Sequence, residues 1–314
     1  MPSASPGEEI MNSDLFLTAA QAEIILRELP CWQTSITVRP LDGGISNHNF
    51  MVTMADHTFV ARINGDVPAH GVLRANDAVC NRAAAAADIA PKVYFANSTA
   101  LVAAFIAGSP LASQLIPSAA NLPRITALLK QTHNTAFRLL DGPVAGFWPF
   151  RVCRQYARFL AAQERQSSDD LTAWMRLNDQ LEETVGQIDV VLAHNDLLSG
   201  NILDDGQRLW LIDWEHAGLG SAMFDLANLA SNNGFTADQE ARLLELYFGQ
   251  PPGPQQWRQF RAMKCASLLR EAMWARVSEI QSALPFDYRA YGDRYLAQFA
   301  DAIIEIGDSI APPR

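Results

Sequence analysis

Short apolar runs separated by polar turns fill the first third of the chain. A helical pattern at residues 18–29 begins at Thr18, a residue type that caps helices, and ends before Pro30. Four short apolar runs bounded by turn residues predict strands at 36–41, 49–54, 57–63 and 100–106. An alanine-rich stretch at 75–87 predicts a second helix. The N-terminal part is therefore predicted to consist of short strands with two helices.

A different pattern marks the segment from Val191 to Asp213, which reads VLAHNDLLSGNILDDGQRLWLID. The apolar run 190–193 leads into a polar loop, and a second apolar run at 209–212 ends the segment. Between these runs stands Asp205-Gly206, and Asp-Gly is the dipeptide that tight hairpin turns favour. The segment is therefore predicted to be a β-hairpin that frames a polar loop.

Composition and charge narrow the class of protein. The chain has 314 residues, 49% hydrophobic and 18% charged, as in an ordinary soluble globular protein. Its net charge is −10 and it has no cluster of Lys and Arg, which argues against nucleic-acid binding. No apolar run reaches the length of a membrane span, and residues 1–14, which lack the features of a signal peptide, are expected to be a disordered leader. The four scattered cysteines favour free thiols and a cytoplasmic location.

Three polar side chains of the framed loop point to phosphoryl transfer. Asp196 follows the first apolar run, Asn201 comes five residues later, and Asp213 ends the second run. Kinase catalytic loops have this order: one Asp takes the proton of the acceptor hydroxyl, and an Asn and a second Asp hold Mg²⁺. Each residue alone is common in turns, so the ordered set carries the prediction. The spacing predicts a phosphotransferase that uses ATP and Mg²⁺.

The N-terminal strands offer residues for the nucleotide. Gly43 and Gly44 lie in the loop LDGGISNHNF, where they would let the backbone approach a phosphate, and Ser46 and Asn47 could donate to its oxygens. Arg62 in the strand FVARI stands where kinases keep the cation that pairs with the α- and β-phosphates. The alternatives are an ordinary hairpin turn and a surface arginine at a strand end.

Two further predictions concern the same part of the chain. Kinases carry an acid on the helix after that strand to hold the phosphate-binding cation, and Asp77 is the counterpart on the alanine-rich helix. Backbone groups from Ala104 to Ile106 are expected to hydrogen-bond adenine. The pattern breaks at 108–110, where we place the boundary between two lobes.

The sequences GGISN, FVARI, HNDLLSGNIL and LIDWE together resemble those of the choline/ethanolamine kinases and the related aminoglycoside phosphotransferases. The resemblance runs from about residue 41 to the C-terminus and is weaker between 112 and 187. The GG-hydrophobic-SN loop and the Arg in FVARI are similar to the choline kinase branch. LIDWE in place of DFG, and the lack of Pro between 187 and 250, disfavour protein kinases.

The resemblance implies a fold and two structural roles. The fold is α+β and protein-kinase-like, with an antiparallel sheet plus helix in a nucleotide-binding lobe (15–107) and a mainly helical lobe for catalysis and acceptor binding (108–314). Asp225, twelve residues after Asp213, corresponds to an acid that braces the catalytic loop, although it could also be a helix N-cap. His194 corresponds to a structural histidine of the same loop.

The C-terminal segment suggests how the acceptor binds. A quaternary ammonium is held by aromatic faces together with a carboxylate. Glu271 and Trp274 share one face of a predicted helix at 267–280, and Tyr291 follows at the start of the last helix. The resemblance places Trp274 and Tyr291 on the cation box of choline kinases, with Glu271 where those enzymes have a first Trp; Glu215 is a further acid near the cleft. Core packing is the alternative for such an aromatic stripe.

These residues predict a small cationic amino-alcohol as acceptor, choline or ethanolamine. An aminoglycoside or another small-molecule phosphotransferase is one alternative, and a thiamine-type kinase is another. A non-catalytic, kinase-like nucleotide-binding module is a third, which the presence of all three loop residues disfavours. The choice of acceptor and the oligomeric state stay open at the level of sequence.

Overall fold

The computed structural model describes residues 17–41, 47–282, 284 and 286–307 of the chain. The predicted leader at 1–14 lies outside these residues, as do Gly43, Gly44 and Ser46. The helices are α1 Ala19–Arg27, α2 Arg74–Ala86, α3 Leu122–Gln131, α4 Pro149–Ala162, α5 Ser168–Val185, α6 Ala222–Asn232, α7 Ala237–Phe248, α8 Pro254–Gln281 and α9 Tyr288–Ile306. The strands are β1 Ile36–Pro40, β2 His48–Met54, β3 His57–Ile63, β4 Val93–Ala96, β5 Ala100–Ala104, β6 Ser109–Pro110, β7 Val190–Ala193, β8 Ile202–Asp204, β9 Leu209–Leu211 and β10 Gly218–Ser221.

An antiparallel five-stranded sheet forms the N-terminal part, in the order β1-β2-β3-β5-β4. Ala55 takes a positive φ of 50° in the tight turn between β2 and β3. Helix α1 starts with a capping box at Thr18 and buries Ala22 and Leu26 against the apolar face of the sheet. The predicted helices and strands are confirmed, but the strand expected at 100–106 as an edge strand ends at Ala104. It lies inside the sheet, because β4, an additional strand that the sequence analysis missed, pairs with it at the edge.

The C-terminal part is mainly helical and is organised around α8, which contacts α9, α6, α4 and α5. Its second half is buried on nearly every side, from Cys265 to Ala275. The predicted helix at 267–280 is confirmed, and the structure extends it towards the N-terminus to Pro254. This helix therefore provides the rigid support for the residues of the predicted acceptor site.

Two short ladders carry the catalytic loop. The Asp205-Gly206 turn joins β8 to β9, so the predicted tight turn is confirmed, and β6 pairs with the outer edge of β8. The prediction that one hairpin frames the loop is wrong for the run 190–193. The apolar run β7 pairs with β10 instead, which comes after the hairpin in the chain. The polar loop is thus held between two separate ladders. Among the described residues, no helix is long and apolar enough to cross a membrane.

Candidate active site

Asp225 anchors the loop that follows β7. This side chain is fully buried on α6 and accepts hydrogen bonds from the backbone amides of His194, at 2.8 Å, and Asn195, at 2.7 Å. It also lies 2.9 Å from Nε2 of His133. The N-cap of α6 is Ser221, so Asp225 is not the cap. Its contacts fit the bracing role that the resemblance implied.

A left-handed residue turns Asp196 into the cleft. Asn195 has a φ of 65°, and its side-chain nitrogen Nδ2 donates to the backbone carbonyls of Ala193, at 3.2 Å, and His216, at 3.0 Å. Asn tolerates this backbone region better than most residues do. His194 lies with its Nε2 3.0 Å from the carbonyl of Ile212, which ties the loop to the end of the hairpin. The loop geometry is therefore fixed from both sides.

Asp196 lies among several charged groups. Nδ2 of Asn201 donates to its carboxylate, at 3.0 Å, and to its backbone carbonyl, at 2.8 Å. Burial raises the pKa of Asp196 to about 8, and the negative charge of Glu271 adds to this effect. Arg270, whose Nη1 is 3.7 Å from Oδ1 of Asp196, acts in the opposite direction. A carboxylate with a raised pKa is a suitable proton acceptor near neutral pH.

Asn201 and Asp213 present oxygens that could hold Mg²⁺. Because Nδ2 of Asn201 is used by Asp196, its side-chain oxygen is the atom that can coordinate a cation. Asp213 has a φ of 64° and forms an ion pair with Arg62 through Oδ1, which leaves Oδ2 for a metal. Burial and the nearby charge of Glu215 raise the pKa of Asp213. One carboxylate and one amide oxygen suit Mg²⁺, which keeps several of its waters.

The structure brings Arg62 and Asp77 together as a buried ion pair. Asp77 also accepts a hydrogen bond of 2.7 Å from Nδ2 of Asn81, so its carboxylate is held on α2. Burial works against the charge of Arg62, but three carboxylates around it raise its pKa above the ordinary value. Arg62 is therefore a fixed cation that lines the cleft.

The contacts of Glu215 tie its carboxylate to residues of the N-terminal part. Its Oε2 accepts hydrogen bonds of 2.9 Å from Nη1 of Arg74 and from Nδ2 of Asn47, and it lies 3.8 Å from Nη1 of Arg62. Burial raises the pKa of Glu215, but the two arginines outweigh it and hold that pKa below its usual range. Glu215 thus lies beside Arg62 and Arg74, and its predicted acceptor role stays a prediction.

One continuous cavity of about 580 Å³ joins these groups, a size typical of small-molecule sites. Its apolar end is lined by Val60, Ala103, Phe105, Ile106 and Leu203.

The backbone at this apolar end restricts the adenine prediction. The amide of Ala104 donates to the carbonyl of Lys92, at 2.9 Å, and that of Phe105 to Thr58, at 3.0 Å. These two amides are therefore used within the sheet. Ile106 makes no such backbone amide bond within the described part of the chain, which leaves its N–H for a base.

Aromatic and charged side chains line the opposite end of the cavity. The ring of Trp274 lies 5.9 Å from that of Tyr291 and 5.6 Å from that of His70. The hydroxyl of Tyr291 donates to Glu271, at 3.2 Å, and burial together with the Glu271 charge raises the pKa of Tyr291, so it stays protonated. Arg270 forms an ion pair with Glu271 on the other side. The structure thus brings Glu271, Trp274 and Tyr291 together at one site.

The sequence analysis missed three residues that contribute to the site: Arg74, Arg270 and His70. Arg270 lies directly between Asp196 and Glu271, and it is almost fully buried. His70 lies 3.1 Å from Oγ of Ser278 and 3.2 Å from the hydroxyl of Tyr156, behind Trp274. A charged residue inside an apolar helix was the one available signal for Arg270; no local pattern marks the other two.

Comparison with known proteins gives a family match over most of the chain. The family model described as choline/ethanolamine kinase matches residues 38–246. Protein LicA from Haemophilus influenzae is 28% identical over 218 residues, which cover 66% of this chain and 62% of that protein. The chain thus spans less than two thirds of the length of that relative.

Two solved structures resemble the whole chain. A choline/ethanolamine kinase family protein from Mesorhizobium loti has a TM-score of 0.72 and 22% identity, and the match covers 96% of this chain and 98% of that one. Choline kinase LicA from Streptococcus pneumoniae has a TM-score of 0.73 and 20% identity, with 89% and 99% covered. These matches confirm the predicted α+β, protein-kinase-like fold.

Proposed function

The chain belongs to the choline/ethanolamine kinase family, and from this premise we propose that it is an ATP-dependent kinase of a small amino-alcohol. The acceptor is choline or ethanolamine, and the product is its phosphomonoester. The observation that carries this proposal is one continuous cavity lined by Asp196, Asn201 and Asp213 together with apolar residues near Ile106 and the aromatic side chain of Trp274. Such a cavity holds two substrates at opposite ends of one catalytic loop.

In the proposed transfer, the acceptor oxygen bonds to the γ-phosphorus, the bond from that phosphorus to the bridging oxygen of ADP breaks, and the hydroxyl proton passes to Asp196. The raised pKa of Asp196 favours this proton transfer. Arg62 is placed to neutralise phosphate charge. Mg²⁺ bound to the oxygens of Asn201 and Asp213 would neutralise further charge. Positioning and charge neutralisation are what phosphoryl transfer requires.

The aromatic rings and the carboxylate of the proposed acceptor site suit an ammonium group. A quaternary ammonium is stabilised by aromatic faces, and Trp274 and Tyr291 offer them. A primary ammonium also needs hydrogen-bond acceptors, and Glu271 offers a carboxylate beside those rings. Both features support the amino-alcohol class, and turnover decides between its two members.

The proposal is tested by Mg²⁺-dependent ADP release with ATP and a panel of choline, ethanolamine, thiamine and an aminoglycoside. We expect turnover with choline or ethanolamine. Turnover with the aminoglycoside alone would keep the kinase activity and reject the proposed acceptor. ATP binding without turnover of any acceptor would favour a non-catalytic nucleotide-binding protein.

The role of Asp196 is tested in the same assay. The variant Asp196→Asn should lower kcat by about 10²-fold or more, because general-base catalysis contributes roughly 10²–10⁴-fold. Its affinity for ATP should be unchanged. The matched control is Asp189→Asn, an exposed acid just before β7, which should keep full activity. Equal kcat values for Asp196→Asn and the wild type would remove Asp196 from its proposed role.

A further inference from the structure

Arg74 connects three separate parts of the nucleotide side of the site. It is the first residue of α2 and is 5% exposed. Its Nε donates to the carbonyl of Gly65, at 2.8 Å, its Nη1 to Oε2 of Glu215, at 2.9 Å, and its Nη2 to Oδ1 of Asn47, at 2.8 Å. Each guanidinium nitrogen therefore holds a different segment of the chain.

Two of these partners are also bonded to each other. Nδ2 of Asn47 donates to the same oxygen of Glu215, at 2.9 Å, so Arg74, Glu215 and Asn47 form a closed ring of hydrogen bonds. Asn47 directly precedes β2, at the end of the glycine-containing loop, and Glu215 comes two residues after Asp213. The ring thus joins the end of that loop to the segment that carries a proposed metal ligand.

Arg74 itself is not placed to touch the nucleotide. Asn47, Glu215 and Arg62 line the large cavity, whereas Arg74 is not among its lining residues and lines a separate small cleft together with Arg62 and Asp77. The start of α2 is fixed as well, because the backbone amide of Arg74 donates to Oδ1 of Asp66, at 2.7 Å. Nη1 of Arg74 also donates to Oδ2 of Asp77, at a longer 3.4 Å, and Asp77 pairs with Arg62. An effect of Arg74 on a bound nucleotide therefore passes through its partners: mainly Asn47 and Glu215, and more weakly Asp77.

We propose that Arg74 is a positioning residue for Mg²⁺-bound ATP. Its hydrogen bonds to Asn47 and Glu215 fix the position of Asn47, at the end of the glycine-containing loop, relative to Asp213. This inference rests on the proposed kinase function. Only an arginine can make the three contacts at once, since its planar fork carries donors in three directions. A lysine keeps the charge at this position but has a single nitrogen and reaches at most one or two of the partners.

The test measures binding instead of turnover, so it does not depend on the identity of the acceptor. The dissociation constant of Mg²⁺-ATP is measured by calorimetry for the wild type and Arg74→Lys. We expect weakening on the order of tenfold or more, the effect that residues orienting the ligands of a metal site usually have. Adenosine, which has no phosphates, should bind both proteins equally.

A matched control separates this role from a general effect of losing an arginine. Arg208 also joins two elements, because it forms an ion pair with Asp88 and stacks on Trp210, with 3.6 Å between the guanidinium carbon and the ring centroid. Arg208→Lys should bind Mg²⁺-ATP as tightly as the wild type does. Thermal unfolding of both variants is recorded, and if Arg74→Lys does not fold, Asn47→Ala provides the same comparison of Mg²⁺-ATP with adenosine.

A double-variant cycle tests the proposed route. If Arg74 acts through Asn47, then Arg74→Lys combined with Asn47→Ala should weaken Mg²⁺-ATP no more than the stronger single change does. If the two residues acted independently, the double variant would weaken Mg²⁺-ATP binding by the product of the two single-variant factors. The inference is overturned if Arg74→Lys binds Mg²⁺-ATP as tightly as the wild type does. It is also overturned if the two single-variant factors multiply in the double variant, or if Arg74→Lys weakens adenosine binding as much as Mg²⁺-ATP binding. If the wild type itself does not bind Mg²⁺-ATP, the proposed kinase function fails first and this inference falls with it.

Discussion

Trp274 is the residue with the clearest prediction at the acceptor end of the cavity. Its ring lies beside those of Tyr291 and Tyr288, with 5.9 Å between ring centroids in each pair, and it lines the cavity close to Glu271. A cation–π contact in a site that excludes water is worth roughly 2 kcal/mol. Trp274→Leu removes the aromatic face and keeps an apolar side chain. We expect KM for the amine to rise on the order of tenfold, with KM for ATP unchanged.

The control for this prediction lies on the same helix. Trp257 is half-buried near the start of α8, where it packs on Phe260 and does not line the cavity. Trp257→Leu should leave both KM values at the wild-type level. If Trp274→Leu also left KM for the amine unchanged, the aromatic stripe would be core packing only.

At the scale of single residues, the sequence was informative for site residues that lie close together along the chain. Asp196, Asn201 and Asp213 lie within one short segment, so their spacing alone could predict a shared site. Arg74 and Arg270 were missed, because Glu215 and Asp196, the partners that bring them into the site, are distant in the chain and only the tertiary fold selects them. The separation is 141 residues between Arg74 and Glu215.

Helix α6 acts as one element beneath the catalytic loop. It begins at Ala222, directly after β10, and so places Asp225 in its first turn, under the amides of His194 and Asn195. The five-residue π-helical turn Thr132–Ala136 brings His133 to the same carboxylate. The element therefore fixes the loop through a single buried acid that accepts three hydrogen bonds.

Asp225→Asn should damage both stability and catalysis. An amide has one acceptor oxygen, and its NH₂ group would face backbone donors, so at least one buried amide would lose its partner. Such a loss costs roughly 1–3 kcal/mol in the free energy of unfolding. Urea unfolding and kcat measure the two effects. Asp301→Asn, an exposed acid on α9, is the control. Wild-type values of both quantities in Asp225→Asn would contradict the bracing role.

The elements were predictable to different degrees for physical reasons. Strands β1 to β3 and the hairpin β8–β9 have clear turn signals at both ends. Strand β4 has four residues and gains its order from pairing with β5, which a local pattern does not contain. The first half of α8 is rich in polar residues, so only its apolar second half gave a helical signal.

At the scale of the whole molecule, the site exists because two structural parts meet. The sheet contributes Val60 and Arg62 to the cavity, the segment after β5 contributes Ile106, and the C-terminal part contributes Asp196 and Trp274. Single sequence motifs indicated the cavity-lining residues of each part. That the two parts face each other across one cavity was implied by the family resemblance and not by any periodicity in the chain. The structural matches confirm that fold, whereas the roles of the individual residues stay predictions.

Because both parts line one cavity, Mg²⁺-ATP should stabilise the molecule as a whole. A ligand that binds the folded state alone adds about 2.7 kcal/mol at a concentration of 100 times Kd. At about 2 °C per kcal/mol for a chain of this size, Tm should rise by roughly 5 °C. Asp213→Asn should lose the part of this rise that depends on Mg²⁺, because it weakens the proposed metal site, and Asp189→Asn should keep it. Thermal unfolding with ATP, with and without Mg²⁺, measures the difference, and an identical rise in Asp213→Asn and wild type would place the metal elsewhere.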